Sequence, residues 1–230
     1  MERILSQLGG ILDDLVRYEV VQLGPVSITS TVVNTWIVIA VIMGFVFLVR
    51  RAGFNTVPRG AQALVEILVE FVYGLMDEPL GKEGRRFLWI PGSLIVFIFF
   101  LNVAWFIPDF VPPTTDVMTP MALAVTTILI VQVMGFREKG LKGYIGNFTQ
   151  PVALMLPMNL ISELIKPFSL TLRLFGNMFG EKMVVTILGL LVPVFLPVPV
   201  MLLGLLMGAI QAFIFTLLSV NYLADQTQDG

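Results

Sequence analysis

The sequence contains no cysteine and no histidine. Disulfides are therefore impossible, and so are Cys/His zinc sites and His-based catalytic triads. Charged residues are scarce as well: they make up 13% of the chain, whereas soluble domains average about 25%. The net charge of −2 gives no basic surface for nucleic acid. We expect no metal, no cofactor, no nucleic-acid partner and no catalytic residue on this chain.

Hydrophobic residues, by contrast, make up 57% of the 230-residue chain, and the mean hydropathy is +0.90. A soluble domain averages about 45–50% hydrophobic residues and has too little interior to bury so much apolar surface. The bilayer is therefore the expected solvent. No repeat or low-complexity segment divides the chain, so a single membrane domain over 1–230 is the simplest organisation.

The long apolar stretches predict the helices. A membrane span needs roughly 20 apolar residues. We predict an all-α integral membrane protein with about five membrane-embedded helices, over 30–49, 87–107, 118–136, 157–192 and 198–223. The last two are expected to be tilted.

The stretch 57–78 differs from these, since polar residues recur along it at helical spacing. Glu66, Glu70, Tyr73 and Asp77 form one stripe. Basic residues flank both ends, and the positive-inside rule puts both flanks in the cytoplasm. We therefore predict an amphipathic helix that lies on the membrane or re-enters it without crossing.

The charges between the spans predict their orientation. The connection 108–120 contains acids and no base, so it faces outside, whereas the basic connection 137–150 faces the cytoplasm. The first 20 residues carry charges where a secretory leader would be apolar, so we expect no leader. Segment 1–29 is predicted to be amphipathic, to begin as a surface helix and to lie outside. The C-terminus is expected in the cytoplasm.

A single arginine, Arg173, lies in the middle of the apolar region 157–192. As one helix of about 36 residues, this region would be roughly 54 Å long at 1.5 Å per residue, against a hydrocarbon core of about 30 Å. It must therefore be strongly tilted or broken, and Pro167 favours a local kink.

The polar and small side chains of this helix share one face with Arg173, since successive residues turn by about 100°. Small residues permit the close approach of another helix. The polar members are Asn177, Lys166, Glu163 and Glu181, and the small members are Ser162, Ser169, Gly176 and Gly180.

Two interpretations of Arg173 are open. It could snorkel to the headgroups or pair with a buried carboxylate for structural reasons. However, it lies far from both ends, and no carboxylate lies one turn away on the same helix. An arginine at the bilayer centre costs at least about 2.5–3.5 kcal/mol and cannot lose its proton. We expect its anion to come from another chain.

The segment "LPMNLISELIKPFSLTLRLFGNMFGE" closely resembles the signature of subunit a of the F-type rotary ATP synthases of bacteria. The segments "PTTDVMTPMALA" and "IQAFIFTLLSVNYL" resemble two further parts of that family. The resemblance extends from about residue 30 to the C-terminus.

This resemblance implies a stator subunit that lies in the plasma membrane against a c-ring of hairpin subunits, together with the subunit b stalk. Two half-channels would conduct H⁺ or Na⁺ to and from the ring carboxylates. Arg173 would separate the channels, and the family's asparagine and last-helix glutamine correspond to Asn177 and Gln211. The four small residues of this helix face would contact the ring. Gln211 could also serve as an interhelical contact.

The sequence departs from the family pattern in the outer channel. Many relatives carry an acid nine positions after the arginine, whereas Glu181 comes after eight and Lys182 follows it. Many also carry a histidine or acid seven positions before the last-helix glutamine, where this chain has Gly204. We expect Glu181 to line the outer channel; the alternative is a structural pair with Lys182, which helix geometry disfavours.

Two pairs of polar residues have simpler interpretations. Glu163 and Lys166 either form an ordinary i,i+3 ion pair or line the mouth of the inner channel. Asn102 and Gln132 are single amides in apolar spans and are expected to be interhelical contacts.

Two other classes of protein remain as alternatives. A secondary transporter or channel that acts alone would also bury an arginine, but it should show repeat symmetry and matching broken helices. An intramembrane enzyme is disfavoured, because histidine and cysteine are absent.

Overall fold

The computed structural model describes residues 19–23, 26–51, 53, 60–107, 110–149, 156–192 and 195–227. Helices dominate these ranges, and three short 3₁₀ turns connect them, at Lys82–Phe87, Ala104–Phe106 and Pro113–Thr115. The α-helices described are α1 (Ser30–Arg51), α2 (Ala61–Leu80), α3 (Trp89–Val103), α4 (Met118–Thr149), α5 (Leu156–Leu191) and α6 (Pro197–Thr227).

Within the described ranges, five segments are long and apolar enough to cross a membrane: Ser30–Arg51, Trp89–Phe106, Met118–Gly140, Leu156–Leu191 and Pro197–Thr227. The predicted all-α membrane protein with five membrane-embedded helices is therefore confirmed. Helix α2 is not among the five, and its amphipathic, interfacial position stays a prediction. Residues 57–59, at the start of that predicted segment, lie outside the described part.

A short hairpin precedes α1. Strand β1 (Glu19–Leu23) pairs antiparallel with β2 (Val26–Thr29). The surface helix predicted over the first 20 residues therefore does not reach Glu19, because this valine- and isoleucine-containing stretch favours extended backbone. Residues 1–18 of the predicted amphipathic segment lie outside the described part, as does the acidic Asp109 of the outer connection.

Helix α4 is longer than the span predicted over 118–136. The predicted connection 137–150 is itself helical through Thr149. The one departure is at Gly140, where φ is 66° and ψ is 175°. Lacking a Cβ, glycine adopts this conformation without strain, so the chain changes direction at Gly140 after a run of good helix formers.

Helix α5 runs through Pro167 without interruption. Its 36 residues correspond to a length of about 54 Å, so α5 must tilt if it is to stay in a bilayer about 30 Å thick. Proline removes one backbone donor from the helix ladder. The hydroxyl of Thr171 donates to the Pro167 carbonyl at 2.7 Å, which ties the turn after the proline to the rest of the helix.

Helix α6 lies at the centre of the bundle and packs against α2, α3, α4 and α5. Its buried face carries glycines, alanines and Phe215, and the small residues allow neighbouring helices to approach. Phe215, Leu223, Leu174 and Ile98 are among the largest fully buried side chains. This core therefore joins the helix with Arg173 to the helix with Gln211.

Helix α1 is peripheral. It packs mainly on α3, and only Thr31, Val38 and Val49 are buried. Trp36 and Leu48 are among its many exposed apolar side chains, and a groove of about 1070 Å³ separates α1 from α3 and α4. These exposed residues are suited to lipid, not water.

Helix α2 contacts α6 through Val72, Met76 and Leu80, which are buried. Next to its C-terminal end, Arg85 donates two hydrogen bonds to Asp77, at 2.9 and 2.6 Å. This hydrogen bonding holds the pKa of the Asp77 carboxyl below its usual value. Both side chains are exposed, so the pair anchors the turn after α2 only weakly.

Candidate functional site

Helices α5 and α6 form an antiparallel pair whose contacts define the site. Asn177 meets Gln211, Glu181 lies over Gly204, and Glu163 meets Gln226. As the residue numbers rise along α5 they fall along α6. The polar side of this α5 face therefore packs along the small-residue face of α6, while its small-residue side stays uncovered. The sequence predicted this polar face, but not the helix against which it packs.

Arg173 lies near the middle of α5 and is half-buried. Its guanidinium forms no hydrogen bond or ion pair with any residue of the described part. Tyr222 of α6 is close enough to interact electrostatically with Arg173, Glu163 and Asp225. The permanent positive charge is thus left without an ion-pair partner at the edge of the helix pair, within the part of the chain that the structure describes.

The small residues of α5 lie beside Arg173 on an uncovered surface. A Cβ added to Gly176 or Gly180 would meet no atom within 4 Å. Ser162 is exposed, and its hydroxyl donates to the Met158 carbonyl of its own helix. This surface is therefore smooth and open to an approaching helix.

One turn after Arg173, an amide pair joins α5 to α6. Asn177 Nδ2 donates to Gln211 Oε1 at 2.9 Å. Gln211 is only 2% exposed, and its Nε2 has no hydrogen-bond partner among the described residues. An unpaired buried donor costs about 1–3 kcal/mol, so this amide nitrogen is suited to a water molecule or a transient partner.

Glu181 lies two turns after Arg173, with its carboxylate directly over Gly204 of α6. A Cβ built on Gly204 would collide with this carboxylate. Glu181 Oε1 is buried and has no hydrogen-bond partner in the described ranges. Gly204 therefore makes room for an acid from the facing helix.

A second polar bridge lies on the other side of α6. Asn102 Nδ2 of α3 donates to the Gly208 carbonyl at 3.1 Å, and Thr114 donates to Asn102 Oδ1 at 3.3 Å. Both side chains are buried. Asn102 is thus an interhelical contact, as predicted, while the part played by Thr114 was not predicted, because nothing in its loop sequence distinguishes it.

Glu163, near the start of α5, is surrounded by donors. Its carboxylate accepts from Gln132 of α4 and from Lys166, each at 2.5 Å, and from Gln226 of α6 at 3.2 Å. The i,i+3 ion pair with Lys166 is therefore present. Gln132 is an interhelical contact, as predicted, and Gln226 is a partner that the sequence did not reveal.

With this geometry established, the comparisons with known proteins decide the family. The sequence matches the ATP synthase A chain family over residues 32–224. The chain belongs to the ATP synthase subunit a family. It is therefore a membrane-sector stator subunit of an ATP synthase, and the reading as a transporter that acts alone is not favoured.

Individual relatives of the subunit a family agree with this assignment. ATP synthase subunit a of Moorella thermoacetica is 55% identical over 207 residues, which cover 90% of this chain and 94% of that protein. ATP synthase subunit a 1 of Syntrophotalea carbinolica is 41% identical, covering 86% of each chain. ATP synthase subunit a 2 of a Bradyrhizobium species is 38% identical, covering 87% of this chain and 90% of that protein.

The structure divides the predicted subunit a site residues into two groups. Asn177, Glu181 and Gln211 cluster on the side of Arg173 toward the C-terminal end of α5. Glu163 and Lys166 lie toward its N-terminal end, in a separate cluster with Gln226 and Tyr222. Gln226 and Tyr222 lie among the final residues of α6, where polar residues are ordinary, so no sequence pattern pointed to them.

Proposed function

We propose that this chain conducts H⁺ or Na⁺ to and from the carboxylates of a c-ring through two half-channels, which Arg173 keeps apart. The observation that carries the proposal is the position of Arg173. Its charge has no partner among the described residues, and it borders an uncovered surface of Gly176 and Gly180. That combination suits an anion brought past by a separate rotor.

The physics of the residue types supports this role. A carboxylate that faces lipid must be neutral, because burying an unpaired charge is too costly. Opposite a permanent cation it ionises, because a nearby opposite charge lowers the pKa of a carboxyl group. Arg173 would thus release the ion from each passing ring site and would repel any ion leaking between the channels. The driving energy is about 2.3 kcal/mol per charge per 100 mV.

The cluster beyond Arg173 is proposed to form part of the outer half-channel. Glu181 supplies a carboxylate with one unpartnered oxygen, and Gln211 supplies an unpartnered amide nitrogen. Both atoms are buried. A water molecule could accept from the Gln211 amide nitrogen, and either water or the transferred ion could bind the Glu181 oxygen. Gly204 takes part by its lack of a side chain, since any Cβ there would displace the Glu181 carboxylate.

We propose the plasma membrane of a bacterium as the location, with the C-terminal end of α6 in the cytoplasm. Arg86 pairs with Glu138 at 2.6 Å, so the start of α3 and the middle of α4 share one membrane face. Basic residues are concentrated at this face, which the positive-inside rule makes cytoplasmic. Asn34 of α1 donates to the Val111 carbonyl near the other ends of these helices, which supports a position outside for the N-terminal segment.

The decisive experiment replaces Arg173 in the complete ATP synthase. In inverted membrane vesicles, Arg173→Ala should abolish ATP synthesis and ATP-driven ion uptake, because nothing then discharges the ring carboxylates. The c-ring, the subunit b stalk and the peripheral ATPase should still copurify with this chain. Coupled synthesis in the alanine variant would contradict the proposal, and so would a chain that purifies from mild detergent without a ring.

Arg173→Lys is the matched control for this experiment. A lysine restores a cation, but it can lose its proton when buried, so we expect it to recover only a small part of the coupled rate. Full activity with lysine would show that a permanent charge is not required.

A further inference from the structure

The carboxylate of Glu163 joins three helices. Gln132 Nε2 of α4 donates to its Oε2, while Lys166 Nζ of α5 and Gln226 Nε2 of α6 donate to its Oε1. The side chains of Glu163 and Lys166 are only 15% and 18% exposed, and Gln226 is 3% exposed. We call Gln132, Glu163, Lys166 and Gln226 the three-helix clamp.

The backbone is also close-packed at this point. A Cβ added to Gly135 of α4 would lie 2.8 Å from the Cβ and 3.0 Å from the carbonyl oxygen of Gln226. Real Cβ contacts are longer, so the glycine is what lets α4 and α6 cross here. The clamp thus lies at a close contact between α4 and α6, and the Glu163 carboxylate of α5 joins both helices at this point.

Lys166 extends the clamp toward Arg173. Its Nζ lies 4.7 Å from the centroid of the Tyr222 ring and 4.0 Å from Asp225 Oδ2. Tyr222 in turn lies within electrostatic reach of Arg173. Along α5 itself, Glu163 precedes Arg173 by ten residues, which is about 15 Å of continuous helix.

We propose that Glu163 is a positioning residue: through the three-helix clamp it fixes the tilt of α5 and hence the place at which Arg173 meets the ring. Three of the roughly four acceptor positions of its carboxylate are occupied by donors. An ion-carrying acid must exchange such partners at every passage, whereas an acid that holds helices together keeps them. Glu163 therefore acts on ion transfer through Arg173 and does not carry the ion.

Because this assignment rests on the proposed function, the test compares two replacements of Glu163 in the complete enzyme. Glu163→Ala removes the acceptor, and Glu163→Gln keeps the shape while removing the titratable group. The amide oxygen of Glu163→Gln can accept from Lys166 and Gln226 in place of Oε1, and its nitrogen can donate to Gln132 once the Gln132 amide turns over. ATP-driven ion uptake by inverted vesicles would be measured across pH, with ring copurification as the check on assembly.

We expect Glu163→Ala to lower coupled uptake by about tenfold or more, and Glu163→Gln to stay within about threefold of the unchanged enzyme. The pH profile of Glu163→Gln should match that of the unchanged enzyme. Three results would overturn the proposal: equal loss in both variants, a shifted pH profile in the glutamine variant, or full activity in the alanine variant.

Gln132 and Gln226 provide a second test if Glu163→Ala fails to assemble. Gln132→Met and Gln226→Met each remove one donor at similar volume. Because both donors act on the same carboxylate, the loss in the double variant should be smaller than the product of the two single losses. If the fold-loss of the double variant equalled the product of the two single fold-losses, the two donors would act independently and the clamp would be refuted.

The controls separate failure of this inference from failure of the proposed function. Glu70→Gln replaces an exposed acid on α2 and should leave uptake unchanged. Arg173→Ala is measured in the same vesicles. Retained coupling there would refute the stator mechanism, whatever the Glu163 variants do.

Discussion

Glu163 and Glu181 are the two acids of α5, and they lie on the same helical face, eighteen residues apart. Glu163 accepts hydrogen bonds from three side chains on three helices. Glu181 has a buried oxygen with no partner among the described residues, and it faces a glycine. The Glu163 carboxylate is thus occupied by donors of the protein, whereas the Glu181 carboxylate has an oxygen available for water or an ion.

This contrast shows how a single helix pair serves two purposes. A buried polar group without a partner costs about 1–3 kcal/mol of stability. Glu181 and Gln211 therefore destabilise the fold unless water binds them or, at Glu181, an ion does. Hydrogen-bonded groups between membrane helices stabilise packing modestly, by about 0.6–2 kcal/mol. Glu163 has the surroundings of a structural contact, and Glu181 those of a transfer site.

The largest effect is expected from filling the space under Glu181. Gly204→Ala puts a Cβ where the carboxylate lies, so the acid must move and coupled ATP synthesis should fall by about tenfold or more. Synthesis by reconstituted enzyme would be measured. Combining it with Glu181→Asp, which withdraws the carboxylate by one methylene, should recover part of the rate.

Gly44→Ala is the control for this substitution, since a Cβ there would meet no atom within 4 Å. It should leave synthesis unchanged. If Gly204→Ala were equally harmless, the space over Gly204 would have no role in the outer channel.

A smaller effect is expected at the amide pair beside Arg173. Gln211→Leu removes the acceptor of Asn177 and an amide nitrogen that is open to water. We expect a loss of about fivefold in ATP-driven uptake, with Asn177→Leu adding little in the double variant, because both changes remove the same bond. Uptake by vesicles of the two single variants and the double variant checks this. If the fold-loss in the double variant equalled the product of the two single fold-losses, Asn177 and Gln211 would act separately.

The bridge between Asn102 and Gly208 tests the structural side of the comparison. Asn102→Leu removes this bond and leaves the hydroxyl of Thr114 without its acceptor. We expect a loss of about 0.6–2 kcal/mol in stability, measured as a lower temperature of disassembly in detergent. The ratio of ions moved to ATP hydrolysed should stay constant. A changed ratio would place Asn102 in the ion path.

The smallest effect is expected at the surface pair Asp77–Arg85. Arg85 lowers the pKa of Asp77 in the folded chain, so the stability from this pair is present above the usual carboxyl pKa of about 4. It disappears as the pH falls through the lower, folded value. At neutral pH, Arg85→Ala should therefore lower thermal stability only slightly. A large drop there, or a gain at pH 3, would contradict this account.

The sequence predicted most of the helices, because the length of each apolar stretch along the chain shows which segments can be buried in lipid. Five apolar stretches are reproduced as five candidate spans, and α5 begins and ends within one residue of 157–192. The structure departs from the predicted outline where local propensity, and not polarity, decides the backbone. Extended backbone at Glu19–Leu23 and continued helix after Phe136 depend on short-range preferences that polarity does not report.

For the site, the sequence identified the side chains but not their partners. A mid-membrane arginine is unusual by itself, because its cost in lipid follows from its chemistry. The pairing of Asn177 with Gln211 spans 34 positions, and that of Glu163 with Gln226 spans 63. No local pattern encodes such contacts, since they depend on how α5 and α6 pack.

The chain's own order of residues determined that this is a membrane protein, that one helix is too long to stand upright, and that Arg173 shares a face with small residues. Those properties follow from composition and from the 3.6-residue turn of a helix. Only the tertiary structure decided which acid is surrounded by donors and which lies over a glycine. Glu163 and Glu181 are the same residue type on the same helical face, and only the side chains that neighbouring helices bring to each one make them different.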